Sequence, residues 1–301
     1  IFCIVCLAFQ KPSHKGNSDF RIRSCLSEIL TLSVPLTLNR MLVNLLQSTE
    51  AILIPGKLEA SGLSNPQSLS LYGALTGMAL PFILFPSAIT SALSTMLLPT
   101  IAGQQAAGKE SAIIRSTERT IQYCLWLGFL SGGIFFFFGK ELANLFYQNQ
   151  DAGIFLQILS FLCPFLYLTA TLTGILNGLG HTVQCLIQSL AGLGIRILFV
   201  TFAIPHMGIR GYLFGLLLSQ LIITGLNLIF LHKSVKFRFP AVEWIVLPCC
   251  GMLLGCGCGL FTYRILCEIK TWRYIALLGG VLVTGGIFLL MMKFCSQKTP
   301  H

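Results

Sequence analysis

The sequence predicts an all-α membrane protein, a multi-pass bundle of about eight transmembrane helices, and three observations carry that expectation. Hydrophobic residues fill 54% of the 301 positions and charged residues only 10%, against roughly 25% charged in an ordinary soluble domain. The mean hydropathy is +0.80. The apolar residues also fall into long runs separated by short polar stretches that hold most of the charge. With 20 Lys and Arg and 10 Asp and Glu, a water-facing surface of this size cannot be coated, so lipid must cover much of the exterior.

A spanning helix needs about 20 mostly apolar residues. Residues 26–54, 71–102, 120–139, 152–176, 182–204, 212–231, 242–266 and 274–294 each qualify. The connections are short, the longest being 10–25, 55–70 and 103–119. Residues 1–9 are apolar but too few to span, and no positive charge precedes them as a signal peptide would require. They read as the remnant of a preceding transmembrane helix, so the chain is expected to be the C-terminal part of a longer protein. Residues 10–25 are then a cytoplasmic loop and 295–301 a cytoplasmic tail.

Lys and Arg placement orients the bundle, because cytoplasmic loops carry the excess. One side receives Lys11, Lys15, Arg21, Arg23, Lys109, Arg115, Arg119, Lys233, Lys236, Arg238, Lys293 and Lys298; the other receives Lys57, Lys140, Arg210, Arg264, Lys270 and Arg273. The richer side is expected inside, which puts the C-terminus in the cytoplasm. The net charge of +10 sits in these short runs, without a basic helical face or interleaved aromatics. It fits anionic headgroups and not nucleic acid. The 12 cysteines lie mostly within apolar segments and serve as small packing residues. Cys256 and Cys258, two apart, face different sides of a helix, so no metal site and no cofactor is expected.

Two sequence features bear on how the helices pack. Pro35, Pro81, Pro86, Pro164 and Pro248 lie within spans, where each removes a backbone hydrogen bond and marks a bend that neighbouring helices tolerate. Gly251, Gly255 and Gly259 form two overlapping GxxxG patterns, a strip that lets another helix of the bundle approach closely.

The first span carries the functional signal. Ser33, Thr37, Arg40, Asn44 and Gln47 are spaced four, three, four and three apart and share one helical face, with Glu50 to one side. Arg40 is roughly 20 Å from either end of the span. A guanidinium at that depth must face a wet cavity or a partner, and its planar fork suits phosphate oxygens. Glu50 suits a partner charge on another helix or an ion-coupling role. Arg196 is the second intramembrane cation, fit for a cavity contact or for snorkelling to a headgroup. In the second span Ser87, Thr90, Ser91 and Ser94 share a face, and bonding back to helix carbonyls is their expected use. The candidate cavity set is therefore Ser33, Thr37, Arg40, Asn44, Gln47, Glu50 and Arg196. No nucleotide loop, Ser/His/Asp set or acid–base pair points to an enzyme.

The run Leu71-Tyr72-Gly73-Ala74-Leu75-Thr76-Gly77-Met78-Ala79-Leu80-Pro81, continuing through Phe85-Pro86, Ser91-Ala92-Leu93-Ser94 and Leu98-Pro99, resembles a hallmark of the stage V sporulation protein B family. So does Gly174-Ile175-Leu176-Asn177-Gly178-Leu179-Gly180-His181. That family is in the polysaccharide-transporter branch of the multidrug/oligosaccharidyl-lipid/polysaccharide exporter superfamily, with the lipid II flippase as a relative. The resemblance implies a fourteen-helix exporter of two six-helix lobes that rock about a central cavity, plus two C-terminal helices. Residues 26–231 are then the second lobe, 242–294 the two added helices, and the N-terminal lobe is missing from this chain.

The function so implied is a flippase of the bacterial plasma membrane for an undecaprenyl-type, lipid-linked glycan precursor, serving spore cortex or envelope polysaccharide. Membrane lipids and envelope-synthesis enzymes are the implied partners. The alternatives are a cation-coupled multidrug antiporter that uses Glu50, and a non-transporting scaffold for envelope synthesis.

The orientation is directly checkable. In a cysteine-free background, single cysteines at Ser61 and Gln150 are expected to react with an impermeant maleimide in intact cells. Cysteines at Gly108 and Ser296 should react only after lysis, and the reverse pattern would invert the topology.

Overall fold

Residues 22–268 and 273–296 are described by the computed structural model, and among them every regular element is helical. The chain runs as α1 (Ile22–Ala60), α2 (Asn65–Ala106), α3 (Glu110–Tyr147), α4 (Gln150–Gly178), α5 (Thr182–Met207), α6 (Ile209–Val235), α7 (Val242–Glu268) and α8 (Arg273–Ser296). Each corresponds to one expected span. The expected remnant 1–9, the loop up to residue 21 and residues 297–301 lie outside the described residues.

Helices α2 to α8 are long and apolar enough to cross a membrane. Helix α1, with 39 residues, has the length but not the apolar density, because its middle carries Asn39, Arg40, Asn44, Gln47 and Glu50. Several helices outrun the apolar segment that announced them. Helix α1 is already formed at Ile22, the first described residue, and passes through Pro55, so the expected connections 55–70 and 103–119 shrink to residues 61–64 and 107–109. Hydropathy stops at the edge of the hydrocarbon, whereas the i→i−4 hydrogen bonds continue into the polar layer.

Helices α1 to α6 follow one another through short turns at residues 61–64, 107–109, 148–149, 179–181 and 208. Gly208, at φ 61° and ψ −149°, joins α5 to α6 alone, in a region of backbone space that only glycine occupies readily. Helix α2 packs on α4, α4 on α3 and α6, α5 on α6, and α1 on α5. The pair α7–α8 docks on α3. Two buried clusters stack along the bundle. One gathers Ile54, Leu75, Ile83, Leu156, Tyr167 and Ile204, the other Ile101, Ile121, Leu172, Ile175, Leu231 and Trp244. Large apolar side chains also point outward, with Phe85 83% and Ile52 77% exposed. That is a liability in water and the expected surface in lipid.

Four irregular turns interrupt the helices, and each stops just short of a proline. The wide π turns Ala74–Ala79, Phe199–Ala203 and Val242–Val246 precede Pro81, Pro205 and Pro248; the tight 3₁₀ turn Ser160–Leu162 precedes Pro164. In the π turns the residue after the turn bonds five positions back: Leu80 N–H to Leu75 O, Ile204 N–H to Phe199 O, and Leu247 N–H to Val242 O. A proline cannot bond its i−4 carbonyl and collides with it, and the wider turn moves that carbonyl aside. Pro35 and Pro86 instead sit within continuous α-helix.

The glycine strip of α7 is filled from within the chain. A Cβ on Gly255 would lie 2.9 Å from Thr284 O, and one on Gly259 would lie 2.6 Å from Gly280 O, both backbone atoms of α8. Of the four α2 hydroxyls singled out, Ser87 and Thr90 return to carbonyls of their own helix as expected. Ser87 bonds Leu84 O and Thr90 bonds Ser87 O, while Ser94 crosses to Ala170 O of α4 at 2.7 Å, where Gly174 leaves no room for a side chain.

A matched pair of substitutions tests this packing. Gly257 has nothing within 4 Å of its would-be Cβ, so Gly257→Ala is expected to leave the melting temperature of the detergent-solubilised protein unchanged or slightly raised. Gly259→Ala should lower it by several degrees, since α7 and α8 must separate. Equal melting of the two variants would sink the close-approach account.

Candidate functional site, a buried ion pair beside a polar helix face

The expected cavity residues separate into two groups. Ser33, Thr37, Arg40, Asn44 and Gln47 all lie exposed along one face of α1. Glu50 is on the buried side of the same helix, 4% exposed, and it meets Arg196 of α5. Arg196 Nε donates to Glu50 Oε1 at 2.9 Å, and Arg196 Nη2 donates to Glu50 Oε2. The Tyr212 hydroxyl of α6 donates to Glu50 Oε2 at 3.2 Å and accepts from Arg196 Nη2 at 3.4 Å. Three helices are thus tied at one point.

The local backbone brings these groups together. Arg196 stands one turn before the π turn of α5, and α6 lies hard against that turn. A Cβ on Gly211 would be 2.7 Å from Ala203 O, and one on Gly215 would be 2.5 Å from Phe199 Cβ. Tyr212 is carried between those two glycines and so reaches the pair. Tyr212 is the member that sequence reasoning missed. The Gly211-x-x-x-Gly215 spacing around it is a close-approach signal that was legible, although it does not say which helix approaches.

The fork-on-carboxylate geometry is the strongest ordinary ion pairing, and burial strengthens it further while charging a desolvation cost. Both carboxylate oxygens are engaged and the charges cancel. Among the described residues this is the one ion pair.

Helix α1 presents three faces. Glu50, Leu46, Ile54 and Pro35 are buried. Next round the helix comes the exposed polar stripe with Arg40. Roughly a quarter-turn further lie Val34, Met41, Leu45 and Ile52, exposed and apolar. Along the axis Arg40 is about 15 Å from Glu50, so the two charges belong to different environments.

Other polar groups serve the packing. Gln220 Nε2 donates to Thr169 Oγ1 at 2.8 Å, and Thr169 Oγ1 lies 2.6 Å from Thr224 Oγ1 across the α4–α6 seam. Cys256 is buried and Cys258 exposed, on different sides as their spacing requires. Among the described residues no group of three His, Cys, Asp or Glu could hold a metal ion.

Comparison with known proteins follows the same lines. Residues 29–202 match the MatE family model. Stage V sporulation protein B of Bacillus subtilis (strain 168) is 26% identical over 263 residues, covering 84% of this chain and 51% of that protein. Sporulation protein YkvU of the same organism is 23% identical over 232 residues, covering 76% and 51%. The chain therefore spans about half the length of the curated relatives it matches. Among solved structures, a MOP superfamily transporter from Pyrococcus furiosus, whose pocket of reversed polarity suggests a different function for it, superposes with a TM-score of 0.54 at 14% identity. The match covers 87% of this chain and 63% of that one, a likeness of fold.

The buried pair makes a double-variant prediction. Glu50→Ala or Arg196→Ala alone leaves one buried charge without its partner and is expected to cost about 3–5 kcal/mol. Glu50→Leu with Arg196→Met removes both charges and should recover most of that loss. Thermal unfolding of purified protein in detergent reads the difference; a double variant as unstable as the worse single one would refute the ion-pair assignment.

Proposed function

The chain belongs to the MatE family, and from that premise we propose that it forms the second lobe of a flippase for a lipid-linked glycan precursor of envelope or spore-cortex polysaccharide. The observation that carries this reading is the exposed stripe Ser33, Thr37, Arg40, Asn44 and Gln47 on α1. A charged and amide-rich face near the middle of a spanning helix belongs against water and cargo and not against hydrocarbon. With the apolar face beside it, α1 suits the wall of a wet cavity that also borders lipid. A cargo of that kind has a polar head that needs shielding and a tail that stays in the bilayer. Arg40 would then offset the diphosphate, with Thr37, Asn44 and Gln47 offering hydrogen bonds to sugar or phosphate.

In this proposal residues 26–231 act as one lobe and 242–294 as two added helices, with the C-terminus cytoplasmic. The proline-adjacent turns, especially Ala74–Ala79 with Pro81, are where a rocking lobe would flex. Membrane lipids and envelope-synthesis enzymes would be the partners. The relatives named for sporulation fit a use in making the spore. The antiporter reading needs Glu50 free to take up a cation. Here Arg196 and Tyr212 already occupy its carboxylate, which favours the flippase. The scaffold reading leaves the polar stripe without a use.

Flipping of labelled lipid-linked precursor by full-length protein in liposomes tests the proposal. Arg40→Ala is expected to slow it by about tenfold or more, on the scale of one lost charged hydrogen bond. Arg40→Lys should recover part of the rate, because it keeps the charge and loses the bidentate fork. Wild-type flipping by Arg40→Ala at equal protein incorporation would overturn the cargo contact.

A further inference from the structure

A second polar feature lies away from α1, where α7 and α8 meet the end of α3. The helices are tightly closed just before it. A Cβ on Gly280 of α8 would lie 3.2 Å from Phe138 Cε1 of α3, and the Tyr263 ring of α7 sits edge-on to Phe138 with centroids 6.2 Å apart. One turn further along α3 the contact opens into a crevice of about 360 Å³, where Glu141, Asn144 and Gln148 of α3, Tyr263 of α7, and Arg273 and Tyr274 of α8 share the lining with two leucines. None of these residues is on the polar face of α1.

Two properties of the crevice point to an occupant. First, it holds one acid and one base that do not bridge each other, since the sole ion pair among the described residues is Glu50–Arg196. Opposite charges that share a crevice without touching leave space for a group carrying both signs. Second, its depth is that of a headgroup. Glu141 is about 9 Å along the axis from the end of α3, and Arg273 opens the described part of α8. Two tyrosines flank it, as at membrane–water boundaries. The size falls in the range of small-ligand pockets, roughly 300–1,000 Å³.

We propose that this crevice binds the headgroup of a zwitterionic phospholipid bearing a primary ammonium, with its phosphate at Arg273 and its ammonium at Glu141. Asn144 and Gln148 supply hydrogen bonds to the phosphate and glycerol oxygens, and the acyl chains run down the apolar outer surface of α3 and α8. A singly anionic lipid satisfies Arg273 alone and leaves Glu141 facing a like charge. The occupant therefore cross-links α3 to the α7–α8 pair at the membrane surface, where their direct packing has ended.

Native mass spectrometry of the full-length protein, released from mixed phosphatidylethanolamine and phosphatidylglycerol membranes, tests this by the lipids retained. Wild type is expected to keep phosphatidylethanolamine over phosphatidylglycerol by up to about fivefold, the scale of one exposed ion pair. Glu141→Gln should make the two equal. Arg273→Gln should reduce retention of both, while Arg273→Lys keeps the preference, which shows that the charge and not a folding defect is read. Soluble phosphoethanolamine at matched concentration should not displace the lipid; displacement would assign the site to a free solute. Equal retention by wild type, or a preference that survives Glu141→Gln, would overturn the proposal. Because none of the three variants touches α1 and the readout is retention, this test is independent of the flipping assay.

Discussion

Hydrocarbon offers a backbone amide no water to bond, so every N–H and C=O within the membrane must be satisfied inside the protein. The uninterrupted helices follow from that constraint, and so do the irregularities. Where Pro81, Pro205 or Pro248 removes a donor, the chain does not unwind. It widens into a π turn and hands the preceding amide to the carbonyl five residues back. The same constraint governs the hydroxyls, most of which return to carbonyls of their own helix, and the glycines, which let carbonyl-bearing backbones approach without a side chain between them.

Charge obeys a stricter form of the rule. A carboxylate and a guanidinium within the bundle are each costly alone, and Glu50 and Arg196 are found fork to carboxylate with Tyr212 completing the ring. The pair joins α1 to α5 and α6, and α1 has few other anchors there because two of its three faces are exposed. The ion pair thereby ties the helix that carries the Arg40 stripe to its neighbours. The paired charge and the exposed charge thus lie about 15 Å apart on one helix, in different environments.

Helices α7 and α8 stand apart from this arrangement. They grip each other through Gly255 and Gly259 and lean on α3, remote from α1. Their contact with α3 is close at Phe138 and open one turn later. This leaves a crevice with an acid and a base on its wall near the end of α3.

The sequence by itself determined that this is a helical membrane protein and where its helices run. Twenty-residue apolarity is a local property, and a helix satisfies its own backbone without help from elsewhere. It also determined which face of the first helix is polar, since Ser33 through Gln47 repeat at three and four and the structure leaves all five exposed. The intra-chain use of the Gly251–Gly259 strip was likewise legible, because close approach needs only missing side chains. Only the tertiary structure decided that Glu50 and Arg196 are one unit and that Tyr212 joins them. They are 146 residues apart, and no spacing rule links residues on helices whose rotations are fixed by packing. Pro205 shows the same limit from the other side. Its effect on the backbone is local, whereas the close approach of α6 to that turn through Gly211 and Gly215 is a tertiary contact.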